Sequence, residues 1–166
     1  SLDEQVSRDY LLSGASDLLL NVLDASNLER NLYFSVQLRE MGIPMVIALN
    51  MMDVARKQGI EVDAEALSQT LGCPVVPIVA TTGEGLSALK QAIQSAAQHS
   101  NADFQITHED ELEQAICAVQ DSLQASDYAL NSRWVALKML EGDEGVLKQT
   151  PAASQAIAEQ WQQHIL

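Results

Sequence analysis

The chain has 166 residues, of which 47% are hydrophobic, so it is long enough to bury one sizeable core and a second, smaller one. A formal net charge of -14 at pH 7 argues against a nucleic-acid partner, because binding to phosphate backbones relies on clustered Lys and Arg. No apolar run approaches the roughly 20 residues of a membrane span. The two cysteines, Cys73 and Cys117, lack metal-type spacing, which predicts buried, reduced thiols in a cytoplasmic setting.

The first part of the chain shows a helical pattern and then a strand pattern. A capping box at residues 1–4 starts a helix whose apolar positions continue until Gly14. Residues 18–23 form a nearly continuous apolar run that ends at Asp24. Such a run is typical of an inner strand that is covered on both faces.

Two further strands with helices between them are predicted downstream. A capping box at residues 26–29 starts a helix that ends near Gly42, and residues 44–49 then form an apolar, buried strand. A helix from Asp63 or Ala64 to Leu71 precedes a third strand at residues 73–80, and a fourth helix spans about residues 86–97. This alternation predicts an α/β fold with a parallel sheet and right-handed crossovers.

The remainder of the chain is predicted to be helical. Composition shifts at residues 98–101, and no strand pattern recurs after that point, so we divide the chain into domains at residues 1–98 and 99–166. Three apolar stripes at helical spacing are expected to pack against one another rather than to hold a cofactor. The stripes are Leu112, Ile116, Val119 and Leu123; Trp134, Leu137, Met139 and Leu140; and Ile157, Trp161 and Ile165.

An Asn-x-x-Asp motif directly follows the second predicted strand. The Asp53 carboxylate can accept hydrogen bonds from N1 and the exocyclic amino group of guanine, a donor pair that adenine lacks. The Asn50 amide can bond the purine edge and tie neighbouring loops together. The motif is a weak signal by itself, because Asn and Asp after a strand are more often turn formers or helix caps.

The end of the third predicted strand strengthens the case for a base site. Ala80, Thr81 and Thr82 follow that strand and lead into a glycine-bearing loop at residues 83–85. Ligands of open parallel sheets bind outside the carboxyl ends of the strands, which lie side by side. The two loops are therefore predicted to converge, so that backbone N–H groups around Ala80, Thr81 and Thr82 meet the base.

Several segments resemble the cytosolic GTPase region of the bacterial ferrous-iron transport protein B (FeoB) family. The resemblance implies a P-loop-GTPase-like parallel-sheet fold that lacks its phosphate-loop half and is followed by a small all-α domain. It assigns residues 1–98 to the C-terminal part of a G domain and residues 99–166 to an incomplete, GDI-like helical domain. The matching segments are residues 23–32, 42–44, 48–53, 71–75, 83–85 and 134–143.

The same resemblance assigns base-binding roles to residues of the two loops. Met51 stands where many GTPases have lysine, and its thioether stem is expected to cover one face of the base. Ala80 stands where many have serine, so the hydroxyl that helps to orient the carboxylate is absent. Either Thr81 or Thr82 replaces it, or the affinity for nucleotide is lower. The nucleotide-binding residues given by the resemblance are Asn50, Met51, Asp53, Ala80, Thr81 and Thr82.

In function, the resemblance implies a regulatory module that binds GTP and GDP and couples GTP hydrolysis to Fe(II) uptake. Its expected partners are guanine nucleotide, the transporter's own membrane domain at the cytoplasmic face of the bacterial inner membrane, and further copies in a homo-oligomer. Two alternatives stay open. One is a non-catalytic α/β and helical interaction fragment, and the other is a different GTPase of the TrmE-Era-like class.

The motifs that hold phosphates in GTPases are missing from this sequence. It contains no G-x-x-x-x-G-K-[ST] loop and no D-x-x-G upstream of the base motif. We therefore expect no GTP hydrolysis by this stretch alone, and we assign no catalytic residue and no metal ligand. Mg²⁺ is expected only together with the phosphate-binding segments.

Overall fold

The fold was analysed in a computed structural model, which describes residues 2–13, 16–99, 104–123 and 131–165. Within these ranges the chain forms a three-stranded sheet, nine α-helices and one 3₁₀ turn. The elements are α1 (Leu2–Leu12), β1 (Leu19–Asp24), the 3₁₀ turn (Ala25–Asn27), α2 (Leu28–Glu40), β2 (Met45–Asn50), α3 (Met52–Lys57), α4 (Ala64–Leu71), β3 (Val75–Pro77), α5 (Leu86–Gln98), α6 (Asp110–Ser122), α7 (Ser132–Leu140), α8 (Glu144–Leu147) and α9 (Ala152–Ile165).

The sheet is parallel, with the strand order β1-β2-β3, which confirms the predicted α/β architecture. Every residue of β2 from Met45 to Leu49 is fully buried, as expected for an apolar strand covered on both faces. On one face, Val46 and Ala48 pack with Leu89 and Ala96 of α5. The central strand therefore holds the carboxyl end of the sheet, where Asn50 lies, in a fixed position.

The first strand differs from its prediction as an inner strand. In the described part of the chain β1 lies at the edge of the sheet, and Leu20 and Val22 are 43% and 58% exposed. Alternate side chains point to opposite faces, and Asn21, which bonds Ser35 of α2 at 2.8 Å, points to the sheltered face. The prediction of cover on both faces is wrong for the described residues, since an apolar run does not reveal what packs on each side.

The third strand is shorter than predicted. It spans Val75–Pro77 instead of residues 73–80, although Ile78 N–H still donates to Leu49 O at 2.8 Å. Proline cannot donate to a sheet ladder, and beyond it Val79 forms an antiparallel bridge with Glu84 instead of continuing the strand. The chain therefore turns away from the sheet at the loop that carries Ala80.

One helix boundary in the structure agrees with its prediction, and another differs from it. Helix α4 spans Ala64–Leu71, as predicted. It is capped by Asp63, whose Oδ1 accepts from Ala66 N–H at 2.9 Å, and its C-cap is Gly72 in the left-handed conformation. The capping box predicted at residues 26–29 is wrong. Asp24 Oδ1 instead accepts from Ser26 N–H at 2.8 Å and caps the 3₁₀ turn, which delays the start of α2.

A buried arginine fixes the approach to β3. Arg39 of α2 is 1% exposed, and its Nε donates to Leu71 O at 2.8 Å while Nη2 donates to Gly72 O at 3.2 Å. Its guanidinium lies 5.1 Å from the ring centroid of Phe104. Burial lowers the pKa of Arg39, and these contacts offset part of the cost of burying its charge. They attach α2 to the end of α4 and so position the strand that follows.

The contacts divide the chain into two units, one with the sheet and α2–α5 and the other with α1 and α6–α9. Helix α1 belongs to the helical unit because Arg8 forms an ion pair with Asp143 and lies 5.8 Å from the ring centroid of Trp134. The composition shift at residues 98–101 lies partly outside the described residues. The domain division at residue 98 stays a prediction, and α1 departs from it.

The predicted stripes of α6 and α7 form the centre of the helical unit, where Ile116, Val119 and Met139 are fully buried. The stripe predicted on α9 is only half-buried. The most buried residues of α9 are Ser154 and Ala158, which lie outside the predicted stripe. Ser154 Oγ accepts a hydrogen bond from Ser122 Oγ at 2.9 Å. Small side chains on α9 thus permit a close approach to α6. Cys73 is buried as predicted, whereas Cys117 is exposed, and both are free thiols.

Candidate nucleotide-base site

The carboxyl end of β2 makes a sharp turn into α3. Asn50 ends the strand, Met51 adopts a left-handed conformation with φ 63° and ψ 33°, and Met52 begins the helix. Among the described non-glycine residues, only Met51 has a positive φ. This conformation costs a residue with a side chain about 1–2 kcal/mol. The turn places Asp53 in the first helical turn, and strain of this kind tends to be kept at functional sites.

The loops that follow β2 and β3 are joined by a side chain. Asn50 Oδ1 accepts a hydrogen bond of 3.0 Å from Ala80 N–H, across 30 residues of sequence. A weaker backbone contact of 3.4 Å joins Met52 N–H to Ile78 O nearby. The structure therefore brings Asn50 and Ala80 together, as the parallel topology predicts. Nucleotide binding by these residues stays a prediction.

Asp53, three residues after Asn50, is half-buried. Within the part of the chain that the structure describes, no protein group donates a hydrogen bond to its carboxylate, and the Nδ2 donor of Asn50 is likewise without a partner there. Met51 is 38% exposed on the same turn. The corner thus presents an open carboxylate, an open amide donor and an apolar side chain, which together match the polar edge and flat face of a purine.

The last loop uses most of its own polar groups internally. Thr82 N–H and Gly83 N–H donate to Val79 O at 3.2 and 2.9 Å. The Thr82 hydroxyl donates to Val79 O at 3.3 Å and accepts from Glu84 N–H at 3.4 Å. Because a hydroxyl has a single proton, the Thr82 hydroxyl cannot donate to Asp53 while it donates to Val79 O.

The backbone N–H groups of this loop differ in their partners. The contact of a base with the N–H groups around Ala80, Thr81 and Thr82 stays a prediction. In the structure, Ala80 N–H is bonded to Asn50 and Thr82 N–H to Val79. Among these three, Thr81 N–H alone lacks a protein acceptor in the described ranges, although all three residues are exposed.

A glycine makes the compact loop feasible. Gly85 has φ 79°, and a Cβ built there would overlap the carbonyl oxygen of Pro77 and lie 3.1 Å from Ile78 Cγ2. The loop therefore packs against β3 at a distance that only glycine allows. This close approach fixes the loop between Val79 and the start of α5.

Sequence reasoning missed an ion pair between α3 and the loop that follows β3. Arg56 Nη1 and Nη2 donate to Glu84 Oε2 and Oε1, both at 3.2 Å. The Arg56 side chain is 56% exposed and the Glu84 side chain is 53% exposed. The hydrogen bonds and charge of Glu84, with a smaller contribution from the charge of Asp53, raise the pKa of Arg56 above its ordinary value. The residues are 28 positions apart, and no local sequence pattern links them.

Other candidate sites are poorer in polar chemistry. The described residues contain no group of three or more His, Cys, Asp or Glu side chains that could hold a metal ion. None of the helices in the described ranges is both long and apolar enough to cross a membrane. A mainly apolar cavity of about 390 Å³ in the helical unit is lined by His108, Leu112, Leu137, Leu140, Glu141, Gln162 and Ile165.

A parallel sheet whose Asn-x-x-Asp turn and final loop meet at the strand ends defines this protein as a G-domain type of α/β protein with an additional helical unit. Residues 1–93 match the family "Ferrous iron transport protein B", and residues 108–166 match "FeoB cytosolic helical domain". The chain belongs to the ferrous iron transport protein B family.

Solved structures agree with this assignment. The GMPPNP-bound NFeoB of S. thermophilus is 37% identical with a TM-score of 0.82, over 99% of this chain and 62% of that one. The cytosolic domain of the T. maritima FeoB iron transporter in its GMPPNP form is 31% identical with a TM-score of 0.79, and the match covers 99% of this chain and 71% of that one. These similarities confirm the predicted family and fold class.

Curated relatives extend far beyond the region compared. The Fe(2+) transporter FeoB of Escherichia coli K12 is 50% identical over 147 residues, which cover 86% of this chain and 18% of that protein. The Fe(2+) transporter FeoB of Salmonella typhimurium is 48% identical over 143 residues, with the same coverage. The chain therefore spans about a fifth of the length of the curated relatives that it matches.

Proposed function

We propose that this chain supplies the guanine-reading corner and the helical unit of a cytosolic GTPase module that serves a ferrous-iron transporter. The observation that carries the proposal is the 3.0 Å bond from Ala80 N–H to Asn50 Oδ1, which joins both strand-end loops beside the open Asp53 carboxylate. Relatives with GMPPNP or GDP bound share the fold, which supports a guanine nucleotide as the ligand.

In this proposal each group of the corner has one task. Asp53 accepts the N1 and amino hydrogens of guanine, the Asn50 amide donates to the purine edge, and Met51 covers one ring face. Adenine would present an acceptor at N1 to the carboxylate, leaving both groups unsatisfied in a half-buried site. The site would therefore select GTP and GDP over adenine nucleotides.

We infer that GTP hydrolysis requires phosphate-binding segments that this chain does not contain. The 166 residues contain no phosphate-loop motif to hold the phosphates, and Mg²⁺ requires those phosphates as ligands. We propose that the isolated chain does not hydrolyse GTP and that the full-length protein couples hydrolysis to Fe(II) uptake. The module would act at the cytoplasmic face of the bacterial inner membrane, against the transporter's membrane domain, where homo-oligomers could form.

The test is a titration of fluorescent mant-GDP and mant-ADP into the full-length polypeptide that contains this chain. We expect GDP to bind at least about 100-fold more tightly than ADP, since two charge-assisted hydrogen bonds distinguish the bases. The isolated chain serves as the control and should release no phosphate from GTP. Equal affinity for the two nucleotides would overturn the proposal and favour a non-catalytic interaction fragment.

A further inference from the structure

A second connection joins α3 to the last loop of the proposed base site, in addition to the Asn50 bond. Arg56 lies on α3, one turn after Asp53, and Glu84 lies in the loop that precedes α5. Two parallel hydrogen bonds of 3.2 Å join the guanidinium to the carboxylate. Paired contacts of this kind fix the orientation of both groups as well as their distance.

Both ends of this ion pair are attached to base-site elements. Residues three apart on a helix lie on the same face, so Arg56 moves together with Asp53. Glu84 is bridged to Val79 through its own backbone, with Val79 N–H donating to Glu84 O at 3.0 Å, and Val79 directly precedes Ala80. The pair therefore links the helix that carries the carboxylate to the loop that carries Ala80, Thr81 and Thr82.

We propose that Arg56 and Glu84 act as a positioning pair that holds the last loop closed against α3 and so slows the release of guanine nucleotide. This inference rests on the proposed function. Neither side chain is assigned a contact with the base. The pair acts indirectly, because Asn50, Asp53 and the loop at Ala80 keep their relative positions while the ion pair is formed.

The exposure of the pair sets the size of its effect. Both side chains are more than half exposed, so solvent and salt screen their attraction, and such pairs contribute little by themselves. The loop should therefore open often enough for exchange, and its rate of opening should respond to ionic strength. This behaviour suits a module that must release its nucleotide, because a buried pair would hold the loop too firmly.

The experiment measures the dissociation rate of mant-GDP from the full-length polypeptide during a chase with excess GDP. At low salt we expect Arg56→Gln and Glu84→Gln each to accelerate release about two- to fivefold, which is the range for an exposed ion pair. The double variant should be no faster than either single variant, because both changes remove the same interaction. Salt should accelerate release from the wild-type protein and bring it close to the variants.

Two controls match the changes in charge. Lys57→Gln removes a positive charge next to Arg56 on α3, and Glu65→Gln removes a negative charge from exposed α4, and both should leave the rate unchanged. Wild-type rates in the single variants, or fully additive effects in the double variant, would overturn the inference. Failure of the proposed function is distinguishable, since the wild-type protein itself would then not prefer GDP to ADP.

Discussion

Polar side chains have different surroundings in two regions of the molecule. One region is formed by the loops at the carboxyl ends of β2 and β3, and the other by the packed helices α6, α7 and α9. At the strand ends, Asp53 and the Asn50 amide donor face outward without protein partners in the described ranges, and Met51 holds a strained conformation. Between the helices, Glu113 accepts three hydrogen bonds, from Arg133 Nη1 and Nη2 at 2.8 and 2.6 Å and from His108 N–H at 2.8 Å.

This difference separates binding from packing. Backbone strain costs stability and tends to be kept at functional sites, which agrees with the proposed role of this corner in nucleotide binding. Satisfied polar groups at helix contacts rigidify a core and need no ligand. We therefore predict that the corner binds the base and that the polar network around Glu113 is structural.

The largest effect on stability is expected from Gly85→Ala. The added Cβ would overlap Pro77 O, and the residue would also have to keep a positive φ, so we expect a loss of about 3 kcal/mol or more in the free energy of unfolding. Gly59→Ala is the matched control, because Gly59 has φ 69° with open space around it and should cost only about 1–2 kcal/mol. Urea denaturation compares them, and equal losses would contradict a close-packed loop.

Neutralising the helical network should have the next largest effect. Glu113→Gln leaves Arg133 with a weaker partner in a site where the two side chains are only 24% and 14% exposed. We expect a loss of about 1–3 kcal/mol, the range for hydrogen bonds to charged groups. Glu84→Gln at the exposed pair should cost less than about 1 kcal/mol of stability. Similar losses from both substitutions in urea denaturation would remove the distinction between the two regions.

The same carboxylate predicts a dependence on pH. The hydrogen bonds from Arg133, followed by the His108 N–H, lower the pKa of Glu113 to about 2 from its ordinary value of 4.5. A folded-state pKa below the unfolded one means that the contribution is complete above about 4.5 and is lost as the pH falls through about 2. Between these values the wild type should lose more stability than Glu113→Gln, and parallel pH profiles in urea denaturation would refute the assignment.

A smaller effect than that of Glu113→Gln is expected at Asp24, whose side chain caps the 3₁₀ turn through bonds of 2.8 and 2.6 Å to Ser26. Asp24→Ala should cost about 1 kcal/mol, as typical for the loss of a cap. Asp24 is paired with Asn50 in the sheet register, but both hydrogen bonds of its carboxylate go to Ser26, so the preference for guanine over adenine nucleotides should not change. A change in nucleotide preference, measured by titration of the full-length protein, would place Asp24 in the base site.

Local sequence signals account for what could be predicted. The alternation of strands and helices, the cap at Asp63 and the Asn-x-x-Asp position all depend on neighbouring residues, and parallel topology then brings Asn50 to Ala80. The bonds from Arg39 to Leu71 O and from Arg56 to Glu84 span about 30 positions and follow no local rule. The exposed face of β1 could not be predicted either, because an apolar run shows hydrophobicity but not its neighbours.

The most direct test of the account is the nucleotide preference of Asp53→Asn in the full-length polypeptide. An amide offers one acceptor and one donor in place of two acceptors, so one guanine donor would face a donor. We expect GTP to bind about 2–4 kcal/mol more weakly and xanthosine triphosphate to bind more tightly, since xanthine carries a carbonyl in place of the amino group. An unchanged preference for GTP over xanthosine triphosphate would contradict the assignment of Asp53 as the residue that reads the base.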